Sequence, residues 1–309
     1  MNHELKKLGA LTHRNIKIYF KDKILFFVSL ITPMILIILF LTFLGKVYQD
    51  SLLAATQLPD GTLPDKLING FTGGWLFSSI IAVSGVTVAF CSNVMVNDKI
   101  NKAIDDFNIT PVKKSTIQLS YFLANFLTTM IVCLVTLVIG MIYLAIVGWY
   151  LSVLDVVMII LVMTLNTLFG TLLASIVGQF LNTQGGLSGV SSMVSSMYGF
   201  VAGAYMPISQ FAPVIQTVLK FLPGTYFTVL LRSYFMRGVL VELNNYVEYP
   251  EIVDGLRNAF DGNLVLFDNE VPTWAMFMVV IGTLVVLLAL YFLVNYLQRR
   301  RYQTWKKHA

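Results

Sequence analysis

Long apolar runs without charge alternate along this chain with short polar and charged segments. The hydrocarbon core of a bilayer, about 30 Å thick, is crossed by a helix of about 20 apolar residues. Six runs meet or approach that requirement, at residues 24–44, 75–96, 117–147, 156–180, 187–206 and 274–297. The pattern therefore predicts an all-α polytopic membrane protein with six transmembrane helices.

The segment before the first span has a different composition. Residues 1–23 combine leucine and aromatic side chains with six Lys or Arg residues, which is typical of a helix lying in the plane of the lipid head groups. We expect an interfacial helix there. Two roles are open to it: an anchor for the first span, or an element that transmits force from a cytoplasmic partner to that span.

A second amphipathic segment lies between spans two and three. Its apolar residues recur at i, i+3, i+4 and i+7, and they are Ile100, Ala103, Ile104 and Phe107. This spacing predicts one helix over residues 97–110. The polar residues predicted for its other face are Asp98, Lys99, Asn101, Lys102, Asp105 and Asp106. Because this face carries charges of both signs, it favours a protein partner over an anionic lipid surface.

The segment between spans five and six, residues 207–273, is long and uneven in polarity. Its first part, residues 213–235, is apolar but interrupted by Lys220, Pro223 and Arg232. We expect two short helices that enter the outer leaflet and return, neither of spanning length. The polar remainder is predicted to form an exposed cap.

Small and polar residues inside the spans suggest close helix packing. Four of them recur every four residues along span five: Ser191, Ser195, Gly199 and Gly203. This spacing lets another helix approach closely, either within the chain, which we favour, or at a seam between two copies. Polar side chains that could line a path are Ser84, Thr87, Asn93 and Ser195, although hydrogen bonding between helices is the favoured role for each.

Composition and charge support this interpretation and orient it. The chain is 57% hydrophobic and only 12% charged, which excludes a soluble globular protein. Fifteen of the 21 basic residues, but only five of the 16 acidic ones, flank the spans on the side of the two termini. Both termini are therefore predicted to be cytoplasmic. Because membrane topology explains the basic excess, no nucleic-acid partner is expected.

The sequence lacks the residues that most membrane chemistry requires. None of the six predicted spans contains a charged residue or histidine, which argues against a proton-coupled carrier. The chain has no His-Glu-x-x-His or Cys-x-x-Cys motif and no phosphate-binding loop of the form Gly-x-x-x-x-Gly-Lys-Ser/Thr. We therefore predict no catalytic, metal-binding or cofactor-binding residues. If a nucleotide drives transport, another chain must bind it.

One stretch, together with the topology, resembles a known family. The stretch is Gly203-Ala204-Tyr205-Met206-Pro207, followed by Pro213, Leu222-Pro223, Tyr226 and Arg232. With six spans, an N-terminal interfacial helix and an amphipathic helix ending at Thr110-Pro111-Val112, the whole chain resembles the type-2 ATP-binding-cassette (ABC-2) exporter permeases. The daunorubicin-resistance and multidrug branch is the most similar part of that family.

The resemblance implies partners and roles that the residues alone do not give. It implies a bacterial plasma-membrane permease, not itself an enzyme, that pairs with a second copy or a homologous permease. It also implies two separate cytoplasmic ATPase subunits, which bind ATP and Mg. Spans one, two and five would line the path. The cargo would be amphipathic or hydrophobic: a drug, a lipid-like molecule or a peptide.

The resemblance also assigns residues by position. Those expected to couple to the ATPase are Asp98, Lys99, Ile100, Lys102, Ala103, Ile104, Asp105, Asp106 and Phe107. Those expected to form an outer gate are Pro207, Pro213, Pro223, Gly224, Tyr226 and Arg232. Two other functions compete with this one: export of a lipid-linked polysaccharide, and a membrane scaffold or sensor that transports nothing.

Overall fold

Helices make up nearly all of the protein. The computed structural model describes residues 2–56, 62–247, 250–267 and 269–308, without the side chains of Asn2, Leu41, Asn108 and residues 299–308. In chain order the elements are α1 (Asn2–Lys21), α2 (Lys23–Leu39), α3 (Gly45–Thr56), α4 (Asp65–Cys91), α5 (Val94–Ile100), α6 (Ala103–Asn108), α7 (Lys114–Val147), α8 (Val153–Gly178), α9 (Gln184–Val201), α10 (Pro213–Lys220), α11 (Pro223–Leu243), α12 (Pro250–Ala259), β1 (Val265–Leu266), β2 (Asn269–Glu270) and α13 (Thr273–His308). A π-helical turn, Phe40–Leu44, joins α2 to α3. The prediction of an all-α polytopic membrane protein is confirmed.

Helix α4 lies at the centre of the bundle. Every residue from Gly70 to Cys91 is buried, and α2, α7, α8, α9 and α11 all pack around the helix. Glycine permits the closest of these contacts, because a Cβ atom on Gly170 of α8 would lie 2.2 Å from the carbonyl oxygen of Gly85. In this packed arrangement α4 is buried on all sides within the chain, and the expectation that span two lines a path stays a prediction.

Five helical stretches of the described residues are long and apolar enough to cross a membrane: Lys23–Thr56, Asp65–Ile100, Lys114–Val147, Val153–Gly178 and Thr273–Gln298. The bent pair α10–α11 would make a sixth if it is one broken span. Helix α9, the predicted fifth span, is not among them, because its serines and glycines lower its hydropathy. It has 18 residues and ends at Val201, before a turn in which Gly203 has φ +66°.

The segment after α9 differs from its prediction. Helix α10 is short, as expected, but α11 has 21 residues and runs on to Leu243. The two helices meet at an angle of 86°. Helix α11 is buried against α4 and α8. The apolar run looked shorter because Arg232 and Arg237 interrupt it, and both arginines are paired with carboxylates in the folded chain. Residues 248, 249 and 268 of the predicted cap lie outside the described residues.

Both ends of the chain lie at the same end of the bundle. Helix α1 crosses the first turns of α7, where Asn15 donates to Ser120 over 3.4 Å. Near the other terminus, Gln298 of α13 donates to the carbonyl oxygen of Gln179 over 3.3 Å. We call this end, which also holds α5 and α6, the terminal end. The opposite end, which holds the start of α4 and α12, is the far end.

Candidate functional site

The amphipathic segment at the terminal end is broken into two helices. Helix α5 ends at Ile100 and α6 begins at Ala103. Between them Lys102 adopts the left-handed conformation, with φ 60° and ψ 8°. The prediction of one continuous helix over residues 97–110 is therefore wrong. Its apolar spacing crosses the break, and periodicity alone does not reveal a two-residue interruption.

Asp98 joins α5 to two other helices. The carboxylate is almost fully buried and accepts hydrogen bonds from Arg14 of α1 and from the hydroxyl of Tyr121 of α7, each over 2.6 Å. Burial alone would lower the pKa of the Arg14 guanidinium, but the hydrogen bond and charge of Asp98 raise it above its usual value. The Arg14 guanidinium therefore stays charged, and its pair with Asp98 holds α5 against α1 and α7.

Lys99 makes a second attachment, to α8. Its ammonium group donates to the carbonyl oxygens of Gly178 over 3.1 Å and of Gln179 over 2.9 Å. These carbonyls lie at the C-terminus of α8, where a helix has unpaired acceptors and a partial negative charge. Asp98 and Lys99 thus bind the segment to the bundle. The prediction that both lie on a face open to a partner is wrong, because Asp98 is buried and Lys99 is half-buried with its ammonium group bonded to α8.

The remaining residues of the segment separate into two groups. Ile100, Ala103, Ile104 and Phe107 are half-buried, and the guanidinium of Arg14 lies 5.0 Å above the Phe107 ring. The exposed residues are Asn101, Lys102, Asp105 and Asp106. We call these four the α6 tip. It presents charges of both signs and begins two residues after Lys99, which is attached to α8.

A buried polar network lies on the far-end side of the bundle, around Arg232 of α11. Its guanidinium donates to Asp261 over 2.9 Å, to the Ser79 hydroxyl over 2.9 Å and to the Gly203 carbonyl over 2.6 Å. It also lies 4.4 Å from the centre of the Trp75 ring, a cation–π contact. One fully buried side chain thereby joins α11 to α4, to the turn after α9 and to the loop after α12. We call this set the Arg232 network.

Asp261 is the partner that the sequence analysis missed. It lies in the turn after α12, with φ 52°, and also accepts a hydrogen bond from the backbone N–H of Ile208 over 2.7 Å. The Asp261-Gly262 dipeptide is a turn signal. Nothing in the local sequence, however, relates that turn to an arginine 29 residues earlier.

The other predicted gate residues lie around the same bend. Pro207 precedes a short 3₁₀ helix, Ile208–Gln210. Pro213 and Pro223 occupy the first positions of α10 and α11, where proline fits because no helical N–H is lost. Gly224 lies against Tyr198 of α9, and Tyr226 is buried in the core. The proposed gate residues thus gather where α9, α10 and α11 meet.

The polar residues predicted inside span two form internal hydrogen bonds. Ser84 and Thr87 donate to the carbonyl oxygens of Ile80 and Val83, one turn earlier in α4. Asn93 follows α4 and donates to the Ala174 carbonyl of α8 over 3.0 Å. All three side chains are buried and face neighbouring helices.

Helix α9 has two faces of small residues, and the predicted stripe is the inner one. Ser191 donates to the Phe90 carbonyl over 3.1 Å, Ser195 lies 3.7 Å from the Cys91 sulfur, and Gly199 packs against the ring of Tyr205. The Gly203 carbonyl, just beyond α9, accepts from Arg232. The opposite side of α9 is exposed. It carries Gly185, Ser188, Gly189, Ser192, Met193, Ser196, Met197 and Phe200, which we call the outer face of α9.

The described residues do not include the groupings that bind metal ions or form disulfides. Among the described residues, no group of three or more His, Cys, Asp or Glu side chains is arranged to hold a metal ion. The two cysteines, Cys91 and Cys133, are buried and unpaired with each other. The site is thus one of attachment and packing: the α6 tip, the outer face of α9 and the Arg232 network.

Comparison with known proteins identifies the family. A family model described as ABC-2 family transporter protein matches residues 49–297, a range that contains the α6 tip, α9 and the Arg232 network. No curated protein and no solved structure matches the chain. Because the matched range covers most of the sequence and the helices are those of a multi-pass membrane protein, this chain belongs to the ABC-2 transporter family.

Proposed function

We propose that this chain is the permease subunit of an ATP-driven exporter that moves an amphipathic or hydrophobic cargo out of the cell. In this proposal the terminal end faces the cytoplasm, in agreement with the basic residues that flank the spans there. Two separate ATPase subunits bind ATP and Mg and hydrolyse the nucleotide. The daunorubicin and multidrug branch remains a proposal based on resemblance.

The attachment of the α6 tip is the observation that carries this function. An energy-coupling element must contact a partner on one side and move transmembrane helices on the other. The tip leaves four polar residues exposed, while Asp98 and Lys99 bind the adjacent helix to α1, α7 and α8. A displacement of the tip would therefore be transmitted to α1, α7 and α8 through charge-assisted hydrogen bonds, which are stronger than hydrogen bonds between neutral groups.

The outer face of α9 supports a second permease and a path. Ser188, Ser192 and Ser196 are exposed on a helix that otherwise lies within an apolar bundle. Polar groups facing lipid are costly, so such a face favours contact with another helix or with water. Two copies placed with these faces toward each other would enclose a route lined by serine, methionine and phenylalanine, which suits an amphipathic cargo.

The Arg232 network supports an outer gate in its closed state. It holds the bend between α10 and α11 against α4 and the loop after α12. Opening a route past this bend requires these helices to separate. A network with a second packed arrangement would let the helices switch between closed and open states, as interfaces that have two stable packings do.

Docking is tested by reversing the charge of the α6 tip. We expect the double substitution Asp105→Lys and Asp106→Lys to lower the amount of co-purified ATPase about tenfold, because like charges across an interface cost several kcal/mol. Membrane insertion and yield should not change, since both carboxylates are exposed. Asp50→Lys, at an exposed carboxylate on α3, is the matched control.

Transport is tested in vesicles that contain the permease and its ATPase, with a panel of fluorescent amphipathic dyes. With the unmodified chain we expect dye movement that vanadate inhibits. With the Asp105→Lys, Asp106→Lys variant we expect none. If the chain purifies without any ATPase and the vesicles move no dye, the exporter proposal fails and the scaffold or sensor function takes its place. Movement of lipid-linked polysaccharide instead of dyes would correct the cargo class.

A further inference from the structure

A cavity of about 360 Å³ opens at the terminal end, beside the segment that carries the α6 tip. Its walls come from α5, α6, α7, the end of α8 and α13. At about 30 Å³ for each molecule of liquid water, it would hold roughly ten waters. The cavity is therefore large enough for the polar head of a small amphiphile.

The walls of this cavity are positive. Lys99 and Lys114 both line it, and none of its lining residues is acidic. Asp98, next to Lys99 in the sequence, accepts a hydrogen bond from the Tyr121 hydroxyl and is paired with Arg14. Lysine is a common ligand of phosphate because its ammonium group is a compact charge with several donors. The charge of the cavity thus favours an anion.

Amide side chains complete the lining. Gln118, Gln179 and Gln298 border the cavity, and each amide can donate and accept hydrogen bonds. The side-chain oxygen of Gln179 is buried and has no hydrogen-bond donor among the described residues. A buried acceptor without a donor is costly, so a rotation of the Gln179 side chain toward a ligand hydroxyl in the cavity would satisfy it.

The surroundings supply a place for acyl chains. Leu297 of α13 is about half exposed and lies in sequence between the lining residues Tyr296 and Gln298. Leu119 of α7, also exposed, follows the lining residue Gln118. Basic pockets between transmembrane helices on the cytoplasmic side are known binding places for phosphorylated lipid heads. Apolar surface beside a positive polar cavity is the arrangement that an anionic lipid requires.

We propose that this cavity binds the phosphoglycerol head of an anionic phospholipid from the inner leaflet. The phosphate lies between Lys99 and Lys114, and a glycerol hydroxyl donates to Gln179. The proposal rests on the orientation given under the proposed function, but not on ATPase docking. Because Lys99 and Ile104 form part of the wall, the bound lipid contacts the same segment that carries the α6 tip. Lipid composition would then influence coupling.

The test uses the purified full chain, delipidated in a neutral detergent. Phosphatidylglycerol is expected to raise the melting temperature and to remain bound in native mass spectrometry, whereas phosphatidylcholine should do neither. Lys114→Gln should weaken phosphatidylglycerol binding about tenfold, the order expected for one hydrogen bond to a charged group. Lys113→Gln is the matched control, because Lys113 is exposed and does not line the cavity.

A second variant guards against a simple folding defect. Gln118→Leu keeps both lysines but removes an amide from the wall, and it should also weaken phosphatidylglycerol binding. Its melting temperature without lipid should equal that of the Lys113→Gln control. Equal stabilisation by phosphatidylcholine, or by free glycerol phosphate, would overturn the proposal. So would equal phosphatidylglycerol affinity in Lys114→Gln and Lys113→Gln. None of these readouts involves the ATPase, so failure of docking and failure of this site are separable.

Discussion

At the scale of single residues, the most consequential side chain is Arg232. A buried guanidinium is costly unless its charge and donors are satisfied. Here one carboxylate, one hydroxyl and one carbonyl accept hydrogen bonds from its two terminal nitrogens, and an aromatic ring lies against it. Its Nε has no acceptor among the described residues. These partners come from three separate places along the chain: α4, the turn after α9 and the loop after α12. The arginine therefore fixes tertiary structure that no helix propensity determines.

Removing one partner of the Arg232–Asp261 pair should destabilise the fold strongly. We expect Arg232→Met or Asp261→Asn alone to cost about 3–5 kcal/mol, because each leaves a buried group without its partner. Arg232→Met combined with Asp261→Asn should cost less than the sum of the two single changes. Heat-induced loss of the monodisperse peak in size-exclusion chromatography gives the measurement. Lys7→Met, which breaks an exposed pair with Glu4, should leave the temperature at which this peak is lost unchanged. Strict additivity would contradict a coupled pair.

Residue identity was more predictable from the sequence than residue environment. Arg232, Pro207, Pro213 and Pro223 were selected from the sequence, and all lie around one bend in the structure. Asp261 was missed, because its pairing depends on a long-range contact. Asp98 was also selected, but it was predicted to lie on the face exposed to a partner. The sequence around a charged residue at the edge of an amphipathic helix does not show that it pairs with residues of other helices.

At the scale of elements, α9 shows why a stripe of small residues has more than one interpretation. Its inner stripe contacts α4 within the chain through Ser191 and Ser195. Its outer face has a similar spacing of small residues, at Gly185, Gly189, Ser192 and Ser196. Both faces satisfy the same small-residue pattern. Only the packed structure shows which face is occupied and which remains for a partner.

Disulfide cross-linking separates the two faces of α9. In a Cys91→Ala, Cys133→Ala background, Ser196→Cys should form a covalent dimer on mild oxidation in membranes, because it lies on the outer face. Ser195→Cys, on the inner stripe, should stay monomeric. Val138→Cys on α7, equally open to the surroundings in one chain, controls for random collision. Cross-linking of Val138→Cys as fast as that of Ser196→Cys would contradict the proposed seam.

The amphipathic segment shows the limit of periodicity at this scale. The spacing of Ile100, Ala103, Ile104 and Phe107 identified a helical region, which contains the end of α5 and the whole of α6. The break at Lys102 carries no proline or glycine, which are the usual breakers. It coincides with the end of the attachments that Asp98 and Lys99 make to the bundle. Tertiary contacts therefore determine where α5 ends.

At the scale of the whole molecule, α4 organises the bundle. Five predicted apolar runs correspond to helices long enough to span, since length and hydropathy are sequence properties. The central place of α4 and the 21-residue length of α11 were not predictable in the same way. The first depends on which helices neighbour one another. The second depends on the burial of Arg232, whose charge made the apolar run look shorter.

The orientation of the whole bundle gives the last prediction. The proposed function requires α6 in the cytoplasm and α12 outside the cell, since an ATPase cannot otherwise reach the α6 tip. In the background without cysteines, Asp254→Cys on α12 should react with a membrane-impermeant maleimide in intact cells, whereas Asp105→Cys should react only after lysis. Both positions are exposed, so accessibility within the fold does not distinguish them. The reverse pattern would place the basic segments outside the cell, contrary to the charge distribution. It would contradict the coupling role of the α6 tip. It would also contradict an inner-leaflet origin for any lipid bound beside the tip.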